Sequence, residues 1–256
     1  MSGQASPKSG DFQGRRVLVT GAGSGIGRAI ALGFAAAGAD LLLLSEKDNL
    51  GPVVAEAVGL GVSADQFRLD LADARQRREA IPELLGRGEV DVLVNNAGQI
   101  RRAAAENFPD ADWDQVIELN LNAAFELARA AGRGMLERGR GKIINIASVL
   151  SFQGGMFAPS YAASKHALSG LTRALANEWA GRGVNVNALA PGYLATAVTS
   201  GLRQDRERSR EILARIPARR WGDPADVVGP ALFLASSAAD YVHGHVLAVD
   251  GGWLAR

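Results

Sequence analysis

Tyr161 and Lys165 are spaced so that a helix would bring a phenol and an ammonium onto one face. A general acid for a carbonyl oxygen must lie within hydrogen-bond reach of it and titrate near the working pH. An ammonium at short range favours phenolate, which is expected to draw Tyr161 below its ordinary pKa of about 10. Ser148 follows an apolar stretch read as a strand and can donate a second hydrogen bond to the same oxygen, where negative charge grows during hydride addition. The chemistry expected of the set is interconversion of a carbonyl and an alcohol. Asn120 and Asn122 interrupt a helical stretch that better helix formers would suit. A buried Asn there would bend the helix or hold a water linking Lys165 to solvent, and the residues alone leave the two open. With no cysteine there is no thiolate nucleophile, no disulfide and no Cys-ligated metal. His166 adjoins Lys165 and points off its face, while His243 and His245 flank the last predicted strand with no third ligand nearby, so no metal is expected.

A hydride donor or acceptor must lie beside these groups, and the sequence offers a place for one. The apolar run Arg16–Thr20 leads into Gly21, Ala22, Gly23, Ser24, Gly25, Ile26 and Gly27, and then into a helical pattern. Glycines permit a tight turn and close approach of the backbone to a pyrophosphate, and the helix amino end supplies free N–H groups and a favourable dipole. After the second strand come Ser45, Glu46 and Lys47. Glu46 suits a ribose 2′-hydroxyl and repels a 2′-phosphate, whereas Lys47 does the reverse, so NAD is expected, with NADP the lesser alternative. Asp70, with Leu71 beside it, follows the third strand and can accept from an adenine amino group. Asn96, Ala97 and Gly98 follow the fourth, where an Asn can also serve only to hold a turn.

To position these groups, short apolar strands must alternate with amphipathic helices, as a parallel sheet covered on both faces requires. Strands are predicted at 16–20, 40–44, 66–69, 90–94, 142–147, 184–189 and 245–249, and helices at 27–37, 113–137 and 161–179, with a further one around Ala80 to Leu85. The fold class expected is a Rossmann-like, doubly wound α/β domain built on a parallel seven-stranded sheet. Residues 1–12 read as a loose polar tail, 13–256 as a single catalytic domain, and the charged segment at about 194–220 as a substrate lid on the carboxyl edge.

The chain has 256 residues, with 28 basic and 27 acidic side chains and a formal net charge of +1. That balance gives no reason to expect nucleic acid or an anionic membrane as partner, and the arginines near 75–78 and 203–220 read as solvated helix faces. No stretch is long and apolar enough to suggest a membrane span, and with cysteine absent the expected location is the cytoplasm.

Taken in order, Thr20 to Gly27, Asn95 to Gly98, Ser148, Tyr161 to Lys165, and Pro191, Gly192 with Thr196 resemble the motifs of the short-chain dehydrogenases/reductases, from Gln13 onward. The resemblance implies that Asn120 completes a catalytic tetrad with Ser148, Tyr161 and Lys165. It also implies that Lys165 binds the nicotinamide ribose, that Asp70 contacts adenine, that Thr196 touches the carboxamide, and that the protein is a homotetramer. The stretches 98–102, 148–155, 176–180, 215–222 and 249–256 are similar to the branch of that family acting on keto-deoxy sugar acids of uronate breakdown, usually with NAD. Reductases of alginate-derived keto acids and gluconate 5-dehydrogenases are its neighbours. A 3-oxoacyl thioester would need a longer apolar cleft than residues 150–158 and 193–220 promise, and a noncatalytic dinucleotide sensor would be free to lose Tyr161 or Lys165. For a carboxylated small-molecule substrate, Arg101 and Arg102 stand where a guanidinium fork could grip the carboxylate, with Gln153 and Tyr193 as candidate partners of its hydroxyls.

Overall fold

In the computed structural model, which describes residues 11–256, β1 (Arg16–Thr20), β2 (Asp40–Ser45), β3 (Ala64–Arg68), β4 (Val92–Asn95), β5 (Gly141–Ile146), β6 (Val184–Pro191) and β7 (Val246–Val249) form one parallel seven-stranded sheet. Their order is β3-β2-β1-β4-β5-β6-β7. The chain therefore winds outward one way from β1, crosses back, and continues the other way from β4. Between the carboxyl ends of β1 and β4 the connections diverge to opposite faces, which leaves a crevice.

Alternation along the strands feeds two cores. Val17, Val19, Leu41, Leu43, Val92 and Val94 face one layer, which holds α1 (Gly25–Ala36), α2 (Gly51–Gly59) and α9 (Val228–Ala235). Leu18, Leu42, Leu44, Leu93, Ile143 and Val186 face the other, with α3 (Ala74–Gly86), α5 (Ala123–Arg138) and α6 (Pro159–Trp179). Coverage on both sides is why β2 reads as an unbroken leucine run. Local signals stop and start the helices: Asp73 caps α3 by accepting from the N–H groups of Arg75 and Gln76, Pro159 opens α6 where its missing donor costs nothing, and Gly139 ends α5 at φ 67°.

All seven predicted strands form, with edges shifted by a residue or two. Helices α2 and α9 were not foreseen. The first follows Leu50, which supplies no capping side chain, and the second is apolar on nearly every side with Pro230 inside it. The helical stretch around Asn120 divides into α4 (Asp110–Ile117), a π-helical turn (Glu118–Asn122) and α5. The expected tail lies outside the described residues except at its end, where Phe12 corrects it. Phe12 is fully buried, stacks edge-on against Phe34 with centroids 5.1 Å apart, and donates its N–H to Ala37 O. The arginine cluster near 75 is also corrected at one position, because Arg77 is fully buried.

The charged segment folds as α7 (Ser200–Gln204) and α8 (Arg206–Arg215). Its two ends are pinned together, with Ala195 N donating to Gly222 O and Gly222 N to Tyr193 O, at 2.7 and 2.9 Å. The segment stands over the carboxyl edge beyond β6, beside the crevice.

Candidate active site

The glycine turn leaves β1 with Gly21 at φ 64° and Gly25 at φ 53°, a backbone region that side chains disfavour. A Cβ at Gly27 would strike the Gly21 carbonyl and the Asn96 amide, so the helix can begin this close to β4 only without one. Asn96 stitches the two loops together. Its Nδ2 donates to Thr20 O and Gly21 O at 2.8 and 3.2 Å, while Thr20 Oγ1 accepts from the N–H groups of Asn96 and Ala97. Ser24 caps α1 without a side-chain bond, and the first turn carries no acidic residue. The free N–H groups and positive helix end suit the pyrophosphate of a dinucleotide.

One cleft gathers Gly21, Ser24, Gly25, Ile26, Ser45, Glu46, Leu71, Asn96, Ala97, Gly98, Ser148, Tyr161, Lys165, Pro191, Gly192 and Thr196 along its wall. Gly27 packs behind it. Asp70 Oδ1 accepts from Ala72 N at 2.8 Å, and Leu69 and Leu71 on either side of it line the cleft. Glu46 and Lys47 are both exposed, with Nζ and Oε1 3.9 Å apart, and Arg68 Nε donates to the Glu46 carbonyl. Thr196 caps the short turn before α7 and lies over Gly25. Sequence reasoning missed Asn49 and Val198 on the same wall. Asn49 accepts from Ser45 Oγ and covers Gly23, a tertiary contact with no local signal, whereas an apolar Val198 left 65% exposed within a charged segment was a visible hint.

Ser148 and Tyr161 face each other across this wall. Burial pushes the Tyr161 phenol above its ordinary pKa, while its hydrogen bond with Ser148 and the positive charge of Arg102 pull the other way. Lys165 shares this wall with Tyr161. Its Nζ donates to Ile146 O at 2.6 Å and lies 5.5 Å from the Tyr161 ring centroid, and burial pushes it down to about 8. Lys165 is thus a desolvated amine between strand and cleft, with its nitrogen over the Tyr161 ring.

The structure also separates the two asparagines. Asn120 is buried, with Oδ1 accepting from Gln99 N and Nδ2 donating to Gln99 O and Ser164 Oγ, all within 3.0 Å. Ser164 Oγ in turn donates to Tyr161 O. Asn122 instead donates to Glu118 Oε2. The π turn widens the helix at Asn120 and directs its amide toward Gly98, whose open side also faces Lys165 Nζ.

On the substrate side, Arg101 is engaged elsewhere. Its Nη2 donates to Gln115 and its Nε lies 3.6 Å from Asp112 on α4, both of them exposed contacts. Arg102 makes no hydrogen bond or ion pair among the described residues, and its charge is felt at Tyr161. Gln153 Oε1 accepts from Arg215 Nη2 at 3.2 Å, and the Arg215 guanidinium stacks 4.0 Å from the Trp253 ring. Tyr193 packs against Trp221 and Trp253 and lines a smaller pocket with Ile216 and Arg220, not the main cleft, which corrects its expected place.

The model of a family described as enoyl-(acyl carrier protein) reductase matches residues 21–254, and the chain belongs to the short-chain dehydrogenase/reductase family of oxidoreductases. It is 51% identical over 245 residues to 2-dehydro-3-deoxy-D-gluconate 5-dehydrogenase of Bacillus subtilis, covering 96% of each chain. With the Escherichia coli protein of that same name it shares 50% identity over 251 residues, 96% of this chain and 97% of the relative. The crystal structure of a gluconate 5-dehydrogenase from Burkholderia cenocepacia in complex with NADP and tartrate superposes with a TM-score of 0.92 at 40% identity, over 97% of this chain and 98% of that one.

Because Lys165 titrates near 8 when folded against 10.5 ordinarily, the folded chain releases that proton first as pH rises. Within that window the unfolded chain binds more protons, and stability rises with pH. Tyr161, raised by burial, works in the opposite sense above its ordinary value. Urea unfolding of the parent and of Lys165→Met at about pH 7 and pH 9.5 is expected to show the parent gaining about 2 kcal/mol on the variant. A difference that stays constant would mean that Lys165 keeps its ordinary proton affinity when folded.

Proposed function

We propose that this protein is a cytoplasmic NAD(P)-dependent dehydrogenase of keto-deoxy sugar acids, interconverting a ring-free hydroxyl and ketone on a substrate such as 2-dehydro-3-deoxy-D-gluconate in uronate breakdown. The observation that carries the reading is the meeting of Ser148, Tyr161 and Lys165 in one cleft, with the charge of Arg102, which has no hydrogen-bond or ion-pair partner among the described residues, felt at Tyr161. The agreement with relatives named for that substrate supports it further.

The bound dinucleotide supplies or accepts the hydride. Tyr161 donates its phenolic proton to the substrate oxygen in reduction and takes it back in oxidation, and burial keeps the phenol protonated at neutral pH. The Ser148 hydroxyl donates to the same oxygen as charge builds on it. Lys165 binds the ribose beside Tyr161, and Asn120 holds the backbone of Gln99 and, through Ser164, the first turn of α6 in register with it. Thr196 takes the carboxamide, with Pro191 and Gly192 below it. Arg102 grips the substrate carboxylate at the far end of the chain and, from the same position, lowers the phenol. Ser45, Glu46 and Lys47 receive the adenosine ribose. Glu46 repels a 2′-phosphate, but the side chains of Lys47 and Arg68 flank it and solvent screens all three, so the preference for NAD expected from Glu46 alone is modest.

A 3-oxoacyl or enoyl thioester is the second reading, favoured by the name of the matching family model and by the exposed Phe152, Met156 and Phe157 near the cleft. Arg102 beside Tyr161 argues against it, since an acyl chain offers no anion there. Residues 194–220 act as the substrate lid. We read the helical faces that leave Trp113 and Phe125 exposed as contacts of a homotetramer. No described helix is long and apolar enough to cross a membrane.

The parent enzyme is expected to reduce or oxidise keto-deoxy aldonates, followed by absorbance of the reduced cofactor, in preference to acetoacetyl thioesters, and Tyr161→Phe should bind NADH yet lose a factor of about 10² to 10⁴ in kcat. Activity on the thioester alone, or a loss below about tenfold, would overturn the assignment. Arg102→Met should cost roughly 1.5 to 3 kcal/mol in kcat/KM for the acid but not for an uncharged analogue, and should move the Tyr161 limb of the pH profile upward. Equal losses on both substrates would remove Arg102 from carboxylate recognition. Lys47→Ala should lower kcat/KM for NADP roughly two- to fivefold while leaving that for NAD nearly unchanged.

A further inference from the structure

Arg77 lies on α3, well outside the cleft, and no part of the hydride-transfer chemistry requires it. It is nevertheless fully buried, and every donor group of its guanidinium is used. Nη1 donates to the Leu71 carbonyl at 2.6 Å, Nε and Nη2 fork onto the Glu126 carboxylate at 2.8 and 3.1 Å, and Nη2 also bonds Glu118 Oε1. The other oxygen of Glu118 accepts from Asn122 Nδ2 at 2.6 Å. A buried ionic cluster is a poor device for stability alone, because well-packed apolar side chains of similar size usually serve as well or better. What it provides is direction: a planar fork fixes the elements it joins at one angle and distance.

The elements joined are the ones the reaction needs aligned. Leu71 lines the cleft on the side of the adenosine, and Glu118 and Asn122 open and close the π turn whose middle residue is Asn120. A π turn inserts one residue into a helix and is held open only by side chains that favour it. The pair of bonds from Arg77 to Glu118 and from Glu118 to Asn122 spans this one from outside, while Asn120 reaches inward to Gln99 and Ser164.

We propose that Arg77 is a positioning residue: one buried guanidinium sets both the Leu71 wall of the dinucleotide cleft and the π turn that aims Asn120, coupling cofactor grip to alignment of the reacting groups. The proposal rests on the reading of the cleft as a dinucleotide site and of Asn120 as a member of its polar set, but not on the identity of the substrate.

Arg77→Lys keeps the charge and loses the fork, and Glu118→Gln keeps the shape and the bond from Asn122 while weakening the ion pair. Each is measured by fluorescence titration with NADH, by hydrogen exchange of the 118–122 peptide, and by kcat and KM on whichever substrate the parent turns over. Expected are faster exchange in that peptide, weaker NADH binding, and a kcat loss of roughly tenfold to a hundredfold, as sub-ångström misplacement of reacting groups produces. The kcat loss should be shared with Asn120→Ala, so that the double variant falls by much less than the product of the single losses. A lowered Tm with unchanged exchange, NADH affinity and kcat would show a structural role only and overturn the proposal, as would fully additive losses. Glu118→Gln carries the same test should Arg77→Lys not fold. Failure of the sugar-acid assignment would appear in the parent's substrate panel and would leave the NADH and exchange readouts standing.

Discussion

The site is built on a contact, between the turn after β1 and the loop after β4, that leaves no room for a side chain. Gly27 abuts the Gly21 carbonyl and the Asn96 amide, and Asn96 bonds back to Thr20 and Gly21. Through that contact the amino end of α1 stands at the switch point of the sheet, with its free N–H groups directed into the crevice. The register of β1 with β4 and the packing of α1 on its core layer both follow from how near these backbones come. Everything that faces the cleft afterwards, from Gly98 to Thr196, is placed relative to this junction.

Desolvation then sets the chemistry of the opposite wall. Tyr161 and Lys165 are both drawn toward their neutral forms by burial, one upward and the other downward. Neutrality suits a phenol in the proposed role of proton donor, and the Arg102 charge opposes it. Lys165 donates to the Ile146 carbonyl while its Nζ lies 5.5 Å from the centroid of the Tyr161 ring, so strand end and ring share one amine. The spacing of Tyr161 and Lys165 fixes which face they share and leaves open which partner each selects.

This marks the boundary of what the sequence discloses. Strands buried on both faces write themselves as apolar runs, the glycine turn requires residues that only glycine can supply, and the reacting side chains sit at strand ends or one helical turn apart, so fold and cleft were legible. Features that depend on long-range pairing were not. Arg77 reads as a surface arginine because only Glu118 and Glu126, far along the chain, explain its burial. Arg101 and Arg102 are alike in sequence, and Asp112 and Gln115 on α4 decide between them. Tyr193 looked like a cleft residue until Trp221 and Trp253 claimed its ring. Helix α9 escaped notice because its exposed face carries Gly229 and Phe233 in place of polar residues and so shows no amphipathic stripe.

The segments proposed to meet the substrate are tied more loosely to the sheet than Ser148, Tyr161 and Lys165 are. Ser148 continues from β5, and Tyr161 and Lys165 ride on α6, which packs along β6. Arg102 lies on a loop whose next residue, Ala103, donates to the carbonyl of Phe157, itself at φ 59° in a region bulky side chains rarely adopt. Arg215 and Gln153 join the lid to that same segment by one exposed hydrogen bond. Such bonds exchange readily with water, so the strained backbone at Phe157 is held mainly by its contact with the Arg102 loop. Leu194 and Thr196 line the same cleft as Ser148, Tyr161 and Lys165, so a shift of residues 194–220 would move the wall of the site as well as the bonds that tie the outer segments to one another.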